Sequence, residues 1–389
     1  MAPLRVLELY SGIGGMHCGL AESGVSAEVV AAVDVNTTAN EVYKYNFPNT
    51  PLWPKSIEGI PVKELDCLSF DMILMSPPCQ PFTRIGLKGD VSDPRAKSFL
   101  YVLEVLPRLK RPPTYILLEN VKGFESSAAR DALIKTLQSC GYGYQEFLLS
   151  PTCLGIPNSR LRYFIIAKLQ AEPFAFQTID TILEDFPSTK PSVLNCSRSA
   201  PCLEGNSQTD VDQRSHTQCP AGTILYKLET SEELERKASQ DSDSSVQTLQ
   251  GFLEEKVEIG QYLLPPKSLL RYAFILDIVK PTCRRSTCFT KGYGHYVEGM
   301  GSVLQAATDV EISSVYKSLE TLSEEEKLTK LSTLKLRYFT PREIANLHGF
   351  PPEFGFPDKI TIKQQYRLLG NSLNVHIVAK LITLLLQSH

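Results

Sequence analysis

This sequence is short of most of what would mark a secreted, metal-stapled or membrane-embedded chain. Its six histidines are scattered and none of its ten cysteines forms a Cys-x-x-Cys pair, which argues against a zinc site or a disulfide scaffold and for reduced thiols. No apolar run approaches the roughly 18 residues that suggest a membrane span; the longest, such as Tyr115 to Leu118 and Leu381 to Leu386, are far shorter. No secretory leader is readable, because Met1 to Glu8 carries charges where an apolar leader core would lie and runs straight into a strand-like pattern. A soluble, intracellular protein with no metal and no membrane partner is expected. Charge of one sign is also lacking: 40 Lys and Arg against 43 Asp and Glu leave a net −3. That removes any global attraction to nucleic acid, so such a substrate would have to be held by a local basic patch.

What is present is a large globular core. A chain of 389 residues, 42% of them apolar, can bury one large core and has room for a second, smaller module. Residues 4–10, 29–35, 70–75 and 114–119 are short runs rich in Val, Ile and Leu separated by segments of helical length. This is the pattern of an α/β, mostly parallel, doubly wound sheet. Further strands are expected near Tyr144 to Leu149 and Tyr163 to Lys168. Between Ser188 and Gly222 no aromatic residue occurs and Ser, Thr, Pro, Gln and Asn accumulate, the composition of a disordered insertion. Ser323 with Glu326 and Thr340 with Glu343 make capping boxes, the second with Pro341 at the first helical position and Gly349 as the stop. Val378, Leu381, Ile382 and Leu385 give a last amphipathic helix able to close over the first core. The expected organisation is therefore discontinuous: 1–187 the first part of the core, 188–245 a poorly ordered insertion, 246–336 a small inserted domain, and 337–389 the closing part of the core.

Several features along this framework carry chemistry. The first strand runs into Tyr10-Ser11-Gly12-Ile13-Gly14-Gly15, where glycines allow a tight turn and close approach to a ligand. His17 stands where a dinucleotide fingerprint wants glycine, and no Lys-Ser/Thr follows as in a phosphate loop. Asp34, about 20 residues on, can accept hydrogen bonds from ribose hydroxyls, so an adenosyl ligand without phosphates fits; an ordinary strand-to-helix turn fits too. Cys79 follows an apolar strand and a stiff Pro77-Pro78 pair, which places a potential thiolate nucleophile at the ligand-binding edge of the sheet; a buried, inert cysteine is the alternative. Glu119 ends another strand, where desolvation can raise a carboxyl pKa and let it donate a proton, unless it is simply a solvated acid. Arg160 and Arg162, two residues apart, project from one face and can hold a phosphate or a base edge, or form surface ion pairs.

Taken in order, the glycine turn, Asp34, Pro78-Cys79-Gln80, Glu119-Asn120-Val121, Arg160-x-Arg162, the helix entry at Arg337 to Glu343 and Gly370-Asn371-Ser372 resemble the DNA cytosine-C5 methyltransferase family. The resemblance implies a Rossmann-like, S-adenosyl-L-methionine-dependent methyltransferase fold with a smaller inserted target-recognition domain. The likeness is strongest to the tRNA-methylating branch, the aspartate-tRNA cytosine-C5 methyltransferases. It rests on Pro77 to Thr83, on the want of a large amino-terminal regulatory region, and on Cys288-Phe289-Thr290 followed by Tyr293 and Tyr296. Tyr10 stands where many DNA enzymes of the family have phenylalanine.

What the resemblance implies can be stated residue by residue. Cys79 adds to C6 of cytosine, Glu119 engages and protonates N3, C5 takes the methyl group, and Arg160 and Arg162 orient the base. Ile13, Gly14, Gly15, Asp34, Ile57, Glu58, Ser76 and Ser372, with Asn371 as a looser addition, contact the cofactor. Arg284, Arg285 and Lys291, interleaved with Cys288, Phe289, Thr290, Tyr293 and Tyr296, suit an anticodon loop, with cations on phosphates and rings on bases; the same aromatics could instead build the inserted domain's core. The implied partner is tRNA, tRNA-Asp above all, with weak binding to DNA, in the cytoplasm and also the nucleus. A DNA enzyme with the same machinery and a catalytically silent nucleic-acid-binding relative are the competing readings. The unrelated two-cysteine RNA mechanism is excluded, because it needs a second cysteine where Glu119-Asn120-Val121 stands.

Overall fold

The computed structural model describes residues 2–78, 96–171, 173–187, 231–295, 299–319 and 321–387, with the backbone alone for 231–234. The expected nucleophile Cys79, Tyr296 and residues 188–230 of the expected insertion lie outside the described residues. The first part alternates strand and helix: β1 (Leu4–Leu9), α1 (Gly15–Glu22), β2 (Ala27–Val33), α2 (Thr37–Asn46), β3 (Leu52–Trp53), α3 (Val62–Leu68), β4 (Met72–Met75), α4 (Lys97–Val105), β5 (Tyr115–Val121), α5 (Ala128–Ser139), β6 (Tyr142–Leu149) and β7 (Arg162–Leu169). These strands form one sheet in the order β3-β2-β1-β4-β5-β7-β6. The first five strands in that order are parallel, while β7 runs antiparallel to both β5 and β6.

Near-continuous apolar strands demand cover on both faces, and alternate residues show how it is supplied. Leu7, Leu9, Ile73, Met75, Ile116 and Leu118 pack with Leu65, Phe99, Leu103 and Leu133 of α3 to α5. Val6, Met72, Leu74 and Leu117 face the other way, against Met16 and Leu20 of α1 and the last helix. All four residues expected to form the inner stripe of that helix, Val378, Leu381, Ile382 and Leu385, are fully buried there. The carboxyl-terminal segment thus completes the core begun at the amino terminus.

The next described element is α6 (Ser231–Ser242), followed by α7 (Pro266–Tyr272), β8 (Ile278–Val279), β9 (Val303–Gln305), α8 (Ile312–Lys317), α9 (Glu324–Ser332) and β10 (Leu336–Arg337). The three short strands make a second sheet, β10-β9-β8, over a small core that includes Leu264, Leu269, Val303, Leu331 and Leu336. Helix α6 is a correction to the expected disorder of 188–245. Composition misses it because charge ties it down: Asp241 accepts from the Arg284 backbone N–H at 2.9 Å, and Lys237 pairs with Asp277 at 3.0 Å.

The chain then returns to the large core through α10 (Pro341–Leu347), α11 (Ile362–Gly370) and α12 (Val375–Leu386). Both expected capping boxes form, and Thr361 with Gln364 makes a third. Taken as one stretch, Ile362–Leu386 is long and apolar enough to cross a membrane, but 67% of its apolar 18-residue window is buried inside the protein. Its apolar residues serve the core.

Candidate active site

The turn after β1 is built by backbone conformations that few side chains tolerate. Tyr10, Gly12 and Gly14 have φ of 56°, 52° and 91°. A Cβ on Gly14 would stand 2.3 Å from the Phe47 ring, so glycine is required there for both reasons. Asp34 laces this turn to β2: one carboxylate oxygen accepts from the Gly12 N–H at 2.8 Å and the other from the Asn36 N–H at 2.7 Å. Burial raises the Asp34 pKa, and those N–H bonds oppose the rise. Asp34 therefore shapes the turn as well as facing what the turn holds.

Two adjoining cavities open over this turn. The first, about 260 Å³, is lined by Ile13, Gly15, Asp34, Ser76, Asn371 and Ser372, all expected cofactor contacts, and also by Glu119, Arg160 and Arg162. The second, about 210 Å³, is lined by Tyr10, Asp34, Ile57, Glu58, Pro78 and Ser98. Gly14, also an expected cofactor contact, lines neither cavity. An adenosyl sulfonium such as S-adenosylmethionine fits this setting. The Ser11 hydroxyl, in a residue lining the first cavity, is buried without a partner among the described residues, and Asp34 with Glu58 offers acceptors but no phosphate clamp. Tyr10 and Ser11 belonged to a turn already legible in the sequence, whereas Leu368 and Ser98 enter these walls from α11 and α4 and carry no sequence signal.

Glu119 near the carboxyl end of β5 and Arg160 and Arg162 at the entry to β7 line the first cavity together with Ser76, Pro77 and Pro78, which follow β4. Glu119 is buried, and burial raises its pKa against the pull of Arg162 and Arg160. It is therefore biased toward the protonated form, with Arg162 Nε 3.5 Å from its nearer oxygen. Its neighbour Asn120 donates to the Pro77 carbonyl at 3.4 Å, tying β5 to the strand end that precedes Cys79.

Arg160 departs from the expected role of orienting a base. It is 2% exposed, and its guanidinium donates to the carbonyls of Phe289 (2.9 Å), Gly370 (3.1 Å) and Ser372 and to the Cys288 sulfur (3.2 Å). It ties the large sheet, the inserted domain and the α11–α12 junction together. Gly370 allows that junction: a Cβ there would lie 2.3 Å from the Lys291 nitrogen. Arg162 stays at the cavity and also reaches Cys288, at 3.6 Å. Burial alone would raise the Cys288 thiol, but the two guanidinium groups override it and hold it below the usual thiol range.

The expected nucleic-acid surface needs correction at several positions. Phe289 and Tyr293 are 1% and 3% exposed and pack edge-to-face with each other, with Phe339 and Tyr366 around them. They are core, as the alternative reading had it. Arg285 is buried in ion pairs with Asp277 (2.8 Å) and Asp241 (3.4 Å), and half-buried Arg284 donates to the Val246 carbonyl. Thr290 bonds Met300, while Lys291 is exposed. Among the described residues no group of three or more His, Cys, Asp or Glu is placed to hold a metal.

Comparison with known proteins agrees with this arrangement. A tRNA (cytosine(38)-C(5))-methyltransferase of Homo sapiens is 64% identical over 389 residues, covering 99% of this chain and 100% of the relative. A DNA (cytosine-5)-methyltransferase of Dictyostelium discoideum is 40% identical, covering 99% and 95%. The crystal structure of a Spodoptera frugiperda Dnmt2 mutant superposes with a TM-score of 0.77 at 38% identity, covering 99% and 100%. The profile of the C-5 cytosine-specific DNA methylase family matches residues 4–387, and the chain belongs to that family of S-adenosylmethionine-dependent cytosine-C5 methyltransferases.

Proposed function

We propose that this enzyme methylates C5 of a cytosine in tRNA, in the anticodon loop of tRNA-Asp. The observation that carries the narrowing is Cys288: the cysteine of the branch's Cys288-Phe289-Thr290 segment lies 3.2 Å from Arg160 and 3.6 Å from Arg162, beside the catalytic cavity. Relatives named as tRNA methyltransferases, similar over the whole chain, support the same reading. In it, the Cys79 thiolate adds to C6 while Glu119, biased toward its protonated form by burial, gives its proton to N3, so that C5 gains carbanion character. S-adenosylmethionine, held by the glycine turn, Asp34, Glu58 and Ser372, supplies an electrophilic methyl group to C5. Loss of the C5 proton to water then expels Cys79 as the thiolate, and N3 returns its proton to Glu119. Arg162 balances the charge of Glu119 after transfer, and Arg160 keeps the wall around both in place. The proposed sites of action are the cytoplasm and the nucleus.

The test is transfer of label from S-adenosylmethionine to a tRNA-Asp transcript and to duplex DNA in parallel, with wild type and Cys79→Ala. Labelled tRNA with wild type and none with the variant is expected. The Dictyostelium relative's name makes DNA the rival substrate, and equal or stronger labelling of DNA overturns the tRNA assignment.

A further inference from the structure

Tyr10 holds a position that its ring alone does not explain. Its φ of 56° is left-handed, which is costly for a residue with a side chain. That turn aims its carbonyl and its hydroxyl at the two described flanks of residues 79–95, the segment that begins with Cys79. On the amino-terminal side, Ser76 Oγ donates to the Tyr10 carbonyl at 3.3 Å. On the carboxyl-terminal side, the Tyr10 hydroxyl donates to Ser98 Oγ, at the start of α4, at 3.1 Å. Pro78 and Ser98 meet Tyr10 again in the wall of the second cavity, which Asp34 and Glu58 complete. Burial raises the Tyr10 pKa, so the phenol keeps the proton this bond needs.

We propose that Tyr10 is a positioning residue that fixes both flanks of the Cys79 segment to the cofactor turn, with its hydroxyl as the half that registers α4. The ring is part of the cofactor wall; the hydroxyl is a separate device. The flanks of a segment carrying a nucleophile must be held to a fraction of an ångström for attack on a ring carbon, and small misplacements cost rate rather than binding. Removing the hydroxyl while keeping the ring therefore lowers turnover and leaves the adenosyl ligand's contacts in place.

The experiment uses the full chain with S-adenosylmethionine and tRNA. Tyr10→Phe and Ser98→Ala are each expected to lower kcat about three- to tenfold, the scale of one neutral hydrogen bond. KM for the cofactor and affinity for S-adenosylhomocysteine should stay within about twofold. The double variant should be no slower than either single one, and Ser98→Thr, which restores a hydroxyl, should recover most of the loss. Thermal denaturation of each variant separates a positioning effect from general loosening. An unchanged kcat for Tyr10→Phe, or losses that multiply in the double variant, overturns the proposal. Absence of labelling by wild type would instead refute the assignment of tRNA, so the two failures read differently.

Discussion

Glu8 offers the sharpest test of the electrostatics under the cofactor turn. It lies on β1, fully buried, with one carboxyl oxygen accepting from the Tyr43 hydroxyl at 2.7 Å and the other without a partner among the described residues. Tyr43 is bonded in turn to His17 Nδ1 at 2.8 Å, and that ring stacks on Phe47, the residue against which Gly14 fits. Burial, only partly offset by the Tyr43 hydroxyl, pushes the Glu8 pKa up to about 8, and Asp34 adds to the rise. His17 is pushed down to about 4 by burial, so the pair is neutral near pH 7.

A carboxyl whose folded pKa exceeds its unfolded one binds more protons when folded, so its contribution to stability falls as pH rises between the two values. For Glu8 that window runs from about 4.5 to about 8, at roughly 1.4 kcal/mol per unit. Glu8→Gln removes the titration while keeping an oxygen to accept from Tyr43. Relative to wild type, the variant should gain about 3 kcal/mol between about pH 5.5 and about pH 8, read from urea unfolding of both proteins across that range. The sign at any one pH matters less than the slope, because the new amide carries its own desolvation cost. Two stability curves that stay parallel from pH 5.5 to 8 would falsify the assignment of a raised pKa to Glu8.

Two further substitutions separate chemistry from architecture around the cavity. Glu119→Gln keeps a hydrogen bond but cannot transfer a proton, so kcat should fall about 10²- to 10⁴-fold with cofactor affinity retained, and wild-type turnover should decline as pH rises through the raised pKa of the buried acid; single-turnover labelling measures both. Arg160→Ala should lose about 3 kcal/mol or more of stability together with activity, because several buried carbonyls lose their donor. Arg162→Ala should lose activity with little change in the melting curve, and equal destabilisation by the two variants would remove the distinction between them.

The large sheet was legible because its strands are continuous apolar runs bounded by helix-length spacers, and the observed strands fall within a few residues of those runs. The second sheet was not, since strands of two or three residues carry no period. At the site, Asp34, Ser76 and Ser372 could be placed because each follows a strand end or precedes a helix start, and Glu119 because it lies near the end of an apolar strand, two residues before β5 ends. Arg160 could be found but not understood: its partners are backbone carbonyls and a sulfur 128 to 212 positions away, and nothing local encodes them. Phe289 and Tyr293 misled as base-stacking rings because exposure is a property of the fold, and composition cannot tell a stacked base from a stacked neighbour.

The geometry of Arg160 links assembly to chemistry. The first cavity takes its floor from the turn at residues 10–16 and its acid from β5, but part of its wall is the α11–α12 junction, more than 350 positions from the turn. Only a donor-rich, planar group can reach several carbonyls on different segments at once, and a guanidinium has five N–H bonds where an ammonium has three. Arg160 spends four of its contacts on the junction and the inserted domain, and its Nε has no partner among the described residues. A buried donor without an acceptor is costly, so the four bonds that Arg160 does make to the junction and the inserted segment must outweigh that cost. Closing the carboxyl-terminal junction and completing the cavity wall are then the same event, carried by one side chain.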